Sequence, residues 1–355
     1  MRAKALIGQA GAALLAAGFA ASVVADDAEG NLLARARALF KPLPAVAGTP
    51  ERPLTPERIE LGRALFFEPR VSADGKQSCA SCHQPSFYGA EPVALSIGLR
   101  GAVLPRNAHT VFNASLLIAQ HYGGNRADVE EQAMRALTSP VAYGNANYAA
   151  AEARLRALPG YRAQFEKAFP GEAEPATADN WGKAIGAFER TLLTRAAFDR
   201  YLEGDSEAMG KQAKRGLDKF IAVGCVACHN GVTVGGQMYQ KFGVTADYWT
   251  LTGSKEMEAL KGRDRGRFHD TKNEADAFMF KVPQLRNVTR TPPYFHDGTV
   301  ADLKEAVRIM GKLQLGRDLD AADIDDIVAF LDALTGEVPA NFSSAPVLPA
   351  ASFQH

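Results

Sequence analysis

Cys79-Ala80-Ser81-Cys82-His83 and Cys225-Val226-Ala227-Cys228-His229 decide how this chain is read. Each is a C-x-x-C-H box: two thiols can form thioethers to the vinyl groups of a haem, and the adjacent histidine can reach the iron from the proximal side. The chain has four cysteines and the two boxes use all of them, so none is left for a disulfide, a catalytic thiol or a separate metal cluster. Paired C-x-x-C elements also bind zinc, but a zinc ribbon brings its pairs together over roughly 15–20 residues. Here a domain-sized stretch separates the pairs, and a histidine follows each second cysteine. A thioredoxin-like redox pair needs one C-x-x-C and no such histidine. Two covalent c-type haems are the expectation.

The N-terminus fits that reading. Arg2 and Lys4 precede an Ala/Leu/Gly-rich run from Ala5 to Val24, and Val23-Val24-Ala25 offers small residues before Asp26-Asp27. This is a secretory signal, residues 1–25, cleaved after Ala25. Gly8, Gln9, Gly11 and Gly18 interrupt the run and make it a poor permanent span. Haem attachment outside the cytoplasm follows, giving a periplasmic mature protein without a membrane span. The 40 basic groups balance 40 acidic ones, which argues against nucleic acid but leaves room for local patches that dock a small electron-transfer protein. At ~150 residues per domain the length predicts two domains, matching two boxes.

Residues 26–54, with Pro42, Pro44, Pro50 and Pro53, read as an arm packed over the surface. Thr55, Pro56 and Glu57 open a helix through Ile59, Leu61, Ala64 and Leu65, and a loop with Gly75 delivers the first box. The order repeats: Lys211–Val223 carries Ala213, Leu217, Phe220 and Ile221 at helical spacing, and Gly224 ends it before Cys225. Arg106-Asn107 with Thr110 echoes Arg286-Asn287 with Thr289, which suggests an internal repeat. Ala149–Phe169 and Trp181–Tyr201 read as amphipathic helices, and a last helix runs from Ala322 to Leu334 with Gly336 as a stop. Little alternation demands a sheet. The expected fold is mainly α: two cytochrome c-like domains, 55–200 and 201–340, followed by a tail, 341–355.

His83 and His229 account for one axial side of each iron; the opposite sides decide function. The other histidines are His109, His121, His269, His296 and His355, and there are seven methionines. At this point the chain resembles the bacterial di-haem cytochrome c peroxidases and their MauG-type relatives. The resemblance rests on Leu61-Gly62-Arg63-Ala64-Leu65-Phe66-Phe67, both boxes, Ser96-Ile97-Gly98, Pro105-Arg106-Asn107, Val282-Pro283-Gln284-Leu285-Arg286-Asn287-Val288 and Thr291-Pro292-Pro293-Tyr294-Phe295-His296-Asp297-Gly298. It implies that the C-terminal haem is the electron-entry centre, with His229 and Met310 as axial ligands; MauG-type enzymes carry a tyrosine at the methionine position. It also implies one calcium ion, held by the Asn107 side chain and the carbonyl oxygens of Thr291 and Pro293, with waters completing the shell.

The N-terminal haem would be the peroxide site, and there the chain departs from the family four times. Leu99 replaces the histidine that blocks the oxidised iron, so the His83 iron is expected to be open without reductive activation. Ala142 replaces the distal glutamate that accepts and returns the peroxide proton. Ala136 replaces a pocket proline, and Tyr122 replaces the tryptophan between the haems. Gln132 matches the distal glutamine. Tyr143 is near, but a phenol is a poor proton acceptor. His109 and His121 titrate in the right range to supply acid–base chemistry, against the plainer reading of ordinary loop histidines; His296 reads as structural. The expected activity is reduction of hydrogen peroxide with electrons from a cytochrome c or cupredoxin, with Gln132 and Tyr122 as the catalytic candidates and a homodimer as a possible state. The alternatives are a MauG-type oxidation of a partner protein and a non-catalytic di-haem carrier.

Overall fold

Thr55 starts the first long helix of the body as its sequence predicts. Its Oγ1 accepts from Arg58 N at 3.3 Å, and Pro56 occupies the first turn, where a missing N–H costs nothing. The computed structural model describes residues 30–253 and 264–349; the expected signal peptide lies outside them. The helices are α1 (30–39), α2 (Pro56–Phe66), α3 (Val129–Ala136), α4 (Tyr148–Arg156), α5 (Pro159–Ala168), α6 (Ala178–Glu189), α7 (Ala197–Glu203), α8 (Lys211–Val223), α9 (Leu303–Leu315) and α10 (Ala321–Asp332), with several single-turn helices between them. The described strands are β1 (Tyr239–Lys241) and β2 (Met279–Lys281), antiparallel with Gln240 opposite Phe280. The protein is mainly helical.

Two helix pairs form the cores, and they are alike. Gly62 on α2 lies so close to α6 that an added Cβ would sit 1.8 Å from the Ala184 carbonyl oxygen; Gly216 on α8 meets the Asp326 carbonyl oxygen on α10 at the same 1.8 Å. Four residues beyond each contact the rings meet, Phe66 with Phe188 at 5.6 Å and Phe220 with Phe330 at 5.2 Å. A glycine is the only residue that permits this approach. Gly216→Ala is expected to force the pair apart and lower stability by about 3 kcal/mol, read by chemical unfolding of the haem-loaded protein; an unchanged midpoint would contradict this packing.

The 149–169 helix of the sequence reading is two helices. Pro159 has no N–H to donate backwards, so the chain turns at Leu158 and restarts with the proline at the first helical position. The 181–201 helix is also divided, because after the closing turn at Arg190–Leu192 the chain at Thr194 takes buried side-chain partners instead of helical ones. Thr194 N donates to Asn113 Oδ1 at 3.0 Å, and Thr194 Oγ1 accepts from Asn113 Nδ2 at 2.9 Å and from Asn287 Nδ2 at 2.8 Å. Asn113 and Asn287 are both fully buried, and both stand in the left-handed region before a single-turn helix. Asn113 thus shares the burial and backbone conformation of Asn287, whereas Asn107 lines the cavity.

Both ends of the described chain cross over. In α1, Leu32 and Ala36, with Phe40 just beyond, pack with Phe198, Tyr201, Leu217 and Phe330, beside the second box. At the other end Phe342 is buried among Phe66, Phe112 and Phe188, beside the first. Arg63 Nε donates to Asn341 O at 2.6 Å and Arg70 Nη2 to Pro349 O at 3.0 Å, which ties the tail down. The expected boundary between residues 200 and 201 falls inside α7. No helix among the described residues is long and apolar enough to cross a membrane.

Candidate cofactor cavity

The first box is a single helical turn, Cys79–Cys82, opened by Ser78, whose N–H donates to Ser81 Oγ at 3.0 Å. His83 N closes the turn onto Cys79 O at 3.0 Å. Its Nδ1 lies 3.1 Å from Gly89 O. A carbonyl only accepts, so Nδ1 carries the hydrogen and Nε2 keeps the lone pair a metal needs. Burial lowers the imidazole pKa and keeps the ring neutral. In the second box His229 N closes onto Cys225 O at 2.9 Å, and burial takes its imidazole down to about 4. Gly235, at φ +121, lets the chain pass: an added Cβ would lie 2.2 Å from Pro283 O and 3.0 Å from His229 Nδ1. Burial pushes the thiols of Cys79 and Cys82 up to about 12 and that of Cys225 to about 11, so free thiolate chemistry is suppressed.

One continuous cavity of about 570 Å³ borders both boxes, and Met310, Gln132, Tyr122, Asn107, Thr291 and Pro293 also line it. The donor set fits haem: each box presents two thiols and an imidazole with a free nitrogen, and Met310 is the one methionine among the lining residues. Met310 is placed by α9, whose cap Asp302 Oδ1 accepts from Glu305 N at 2.8 Å and whose Ala306, Ile309 and Leu313 are buried. Asn107 Nδ2 donates to Val93 O at 2.8 Å, which leaves Oδ1 as its available oxygen. That suits a hard cation.

Between the boxes Tyr122 packs its ring 3.8 Å from that of His109 and donates its hydroxyl to Phe295 O at 3.2 Å. Burial raises the phenol well above its usual range. His109 is pushed well below its usual pKa by burial, and its Nε2 has no partner. Gln132 faces the cavity from α3, near Ala136, Ala142 and Tyr143. Leu99 does not line it. Its N–H donates to Val141 O at 2.9 Å, and its side chain packs over Gly144, where an added Cβ would be 2.2 Å from Leu99 Cδ2. His296 stands outside the cavity in an aromatic cage, 4.8 Å from Phe280 and 5.4 Å from Tyr248. Tyr143 Oη sits 3.5 Å from Cys79 Sγ, and burial raises its pKa further, so it accepts no proton.

Two lining residues carry no mark in the sequence. Lys281 is buried on β2 and desolvation lowers it to about 8; Glu189 is buried at the end of α6 and desolvation raises it to about 8. Each is a single charge in an unremarkable string, and only the fold brings it to the cavity.

A family model described as di-haem cytochrome c peroxidase matches residues 56–207. The cytochrome c551 peroxidase of Pseudomonas aeruginosa is 41% identical over 320 residues, covering 90% of this chain and 90% of its own. The chain belongs to the di-haem cytochrome c peroxidase family. The family's other branch is also close: the methylamine utilization protein MauG of Methylorubrum extorquens is 33% identical over 343 residues, covering 93% of this chain and 92% of its own. Among solved structures, a MauG-like protein associated with microbial copper homeostasis matches with a TM-score of 0.74 at 29% identity, covering 86% of this chain and 97% of that one. Family membership accounts for haem as the cofactor of the cavity.

Proposed function

We propose that this protein is a periplasmic peroxidase that reduces hydrogen peroxide to water with electrons from a small redox protein, a cytochrome c or a cupredoxin. In this reading residues 1–25 are removed on export. Residues 55–200 and 201–340 are two related cytochrome c-like units, each with one haem attached through Cys79 and Cys82 or through Cys225 and Cys228. The recurring glycine contacts and the paired Asn113 and Asn287 support the repeat. Bound haem would supply a redox-active iron that cleaves the O–O bond and holds electrons.

The observation that carries the reading is an asymmetry in the cavity lining. The helix α9 that carries Met310 packs in the same cluster as Cys225 and Val226, while Ala136 and Ala142, on α3 with Gln132 and in the loop after it, pack in the same cluster as Cys79, and these small side chains would leave room for a small substrate. His229 and Met310 would close one iron for electron entry. His83 would hold the other, open without reductive activation, with the Gln132 amide orienting peroxide and Tyr122 lying on the path between the two centres. Asn107, Thr291 and Pro293 would supply oxygens to a calcium ion.

Mixing the haem-loaded protein with a reduced donor cytochrome and adding peroxide is expected to oxidise the donor rapidly. A rate near background with both haems loaded would contradict the proposal. The MauG-type relative at 33% identity favours a second reading, oxidation of a partner protein. That reading predicts peroxide-dependent modification of a protein substrate without any donor. Met310, rather than a tyrosine, weighs against it.

A further inference from the structure

Three side chains stand in a row at one edge of the cavity. His121 Nδ1 lies 2.8 Å from Asn125 Oδ1, and Asn125 Nδ2 donates to Asp270 Oδ1 at 2.7 Å. An ionised carboxylate accepts only, so Asp270 fixes the Asn125 amide with its NH₂ towards itself and its carbonyl towards His121. That carbonyl also accepts only. Nδ1 of His121 must therefore carry the hydrogen, and Nε2 is left with a lone pair.

The backbone holds the ring in place as well. His121 stands at φ +65, an uncommon conformation for a residue with a side chain. It is sustained by Gly124 N donating to His121 O at 3.3 Å and by Gln120 N donating to Arg126 O at 2.8 Å. The turn places His121 among the residues that line the cavity, within electrostatic reach of His83. The ring is open to the cavity, and desolvation there, opposed by the Asn125 hydrogen bond, lowers its pKa and leaves it neutral and able to accept a proton.

We propose that Nε2 of His121 is the acid–base group on the His83 side of the cavity, with Asn125 and Asp270 as its positioning residues. The proposal rests on the peroxidase reading for its substrate. Nε2 takes one proton from hydrogen peroxide and becomes imidazolium; it returns that proton to the outer oxygen as the O–O bond breaks, and this oxygen leaves as water. The histidine ends as it began. The two electrons come from the donor protein, and the two further protons that complete the second water come from solvent.

Cyanide tests the proton step apart from turnover, because hydrogen cyanide must lose a proton to bind as the anion. In the haem-loaded protein, His121→Leu is expected to slow both cyanide association and peroxide reduction by about 10²-fold or more, without changing the resting spectrum. His121→Glu restores much of both rates, and Asn125→Leu lowers them in part. Unchanged rates in His121→Leu with full haem loading would overturn the proposal. So would a resting spectrum that turns from low-spin to high-spin, since His121 would then be an iron ligand. If cyanide association slows but the parent protein reduces no peroxide, the proton role stands and the peroxidase reading fails.

Discussion

Replacing Met310 by alanine in the haem-loaded protein is expected to abolish the low-spin His/Met signature and to lower donor-dependent peroxide turnover by about 100-fold. The size follows from redox thermodynamics. A one-electron equilibrium changes tenfold for each 59 mV, so a fall of about 120 mV at the entry haem makes it about 100-fold harder to reduce. Axial-ligand identity moves haem potentials over about 0.8 V, which makes such a fall modest. The structure argues that only the ligand is lost. Ala306, Ile309 and Leu313 hold α9 by a buried face that excludes Met310, so the helix keeps its place in the variant. A low-spin spectrum identical to that of the parent would mean that Met310 is cavity lining and nothing more.

Asp199→Ala is expected to cost about 3–5 kcal/mol of stability. Arg286 and Asp199 are both fully buried, joined by two hydrogen bonds of 2.8 Å. The same carboxylate accepts from Leu43 N and from Ala196 N, each at 2.7 Å. One group thus fastens the N-terminal arm, the start of α7 and the loop that follows β2. Its removal strands a guanidinium whose pKa burial already lowers, together with two backbone donors. Chemical unfolding of the haem-loaded variant measures the loss. Asp199→Asn, which keeps an acceptor for part of the set, is expected to lose less than alanine. A change below about 1 kcal/mol in the alanine variant would place it with ordinary surface pairs and contradict the account.

What was legible in the sequence was local. Thr55 with Pro56, the periodic Lys211–Val223 with Gly224, and the two boxes each carry their instructions within a few residues, and the structure places the helices there. The break at Pro159 was also local, since a missing N–H sits in plain view, and the longer reading passed over it. The break at 190–196 was not legible. Its cause is Thr194 bonding to Asn113 and Asn287, 81 and 93 residues away. The cavity divides in the same way. Gln132 and Tyr122 were found through motif register and do line the cavity. Leu99, read through its motif as standing in for a blocking histidine, packs over Gly144, because the turn that carries it is pinned to Val141. The sequence offered His109 and His121 equally as acid–base candidates, and what separates them is Asp270, 149 positions beyond His121, which fixes the amide of Asn125.

The central claim is that the two haem centres differ, one closed by His229 and Met310 and one open at His83. Electron paramagnetic resonance of the fully oxidised, haem-loaded protein at rest tests it most directly. The account predicts one low-spin and one high-spin ferric signal in equal amounts, before any reductant is added. Two low-spin signals would contradict it.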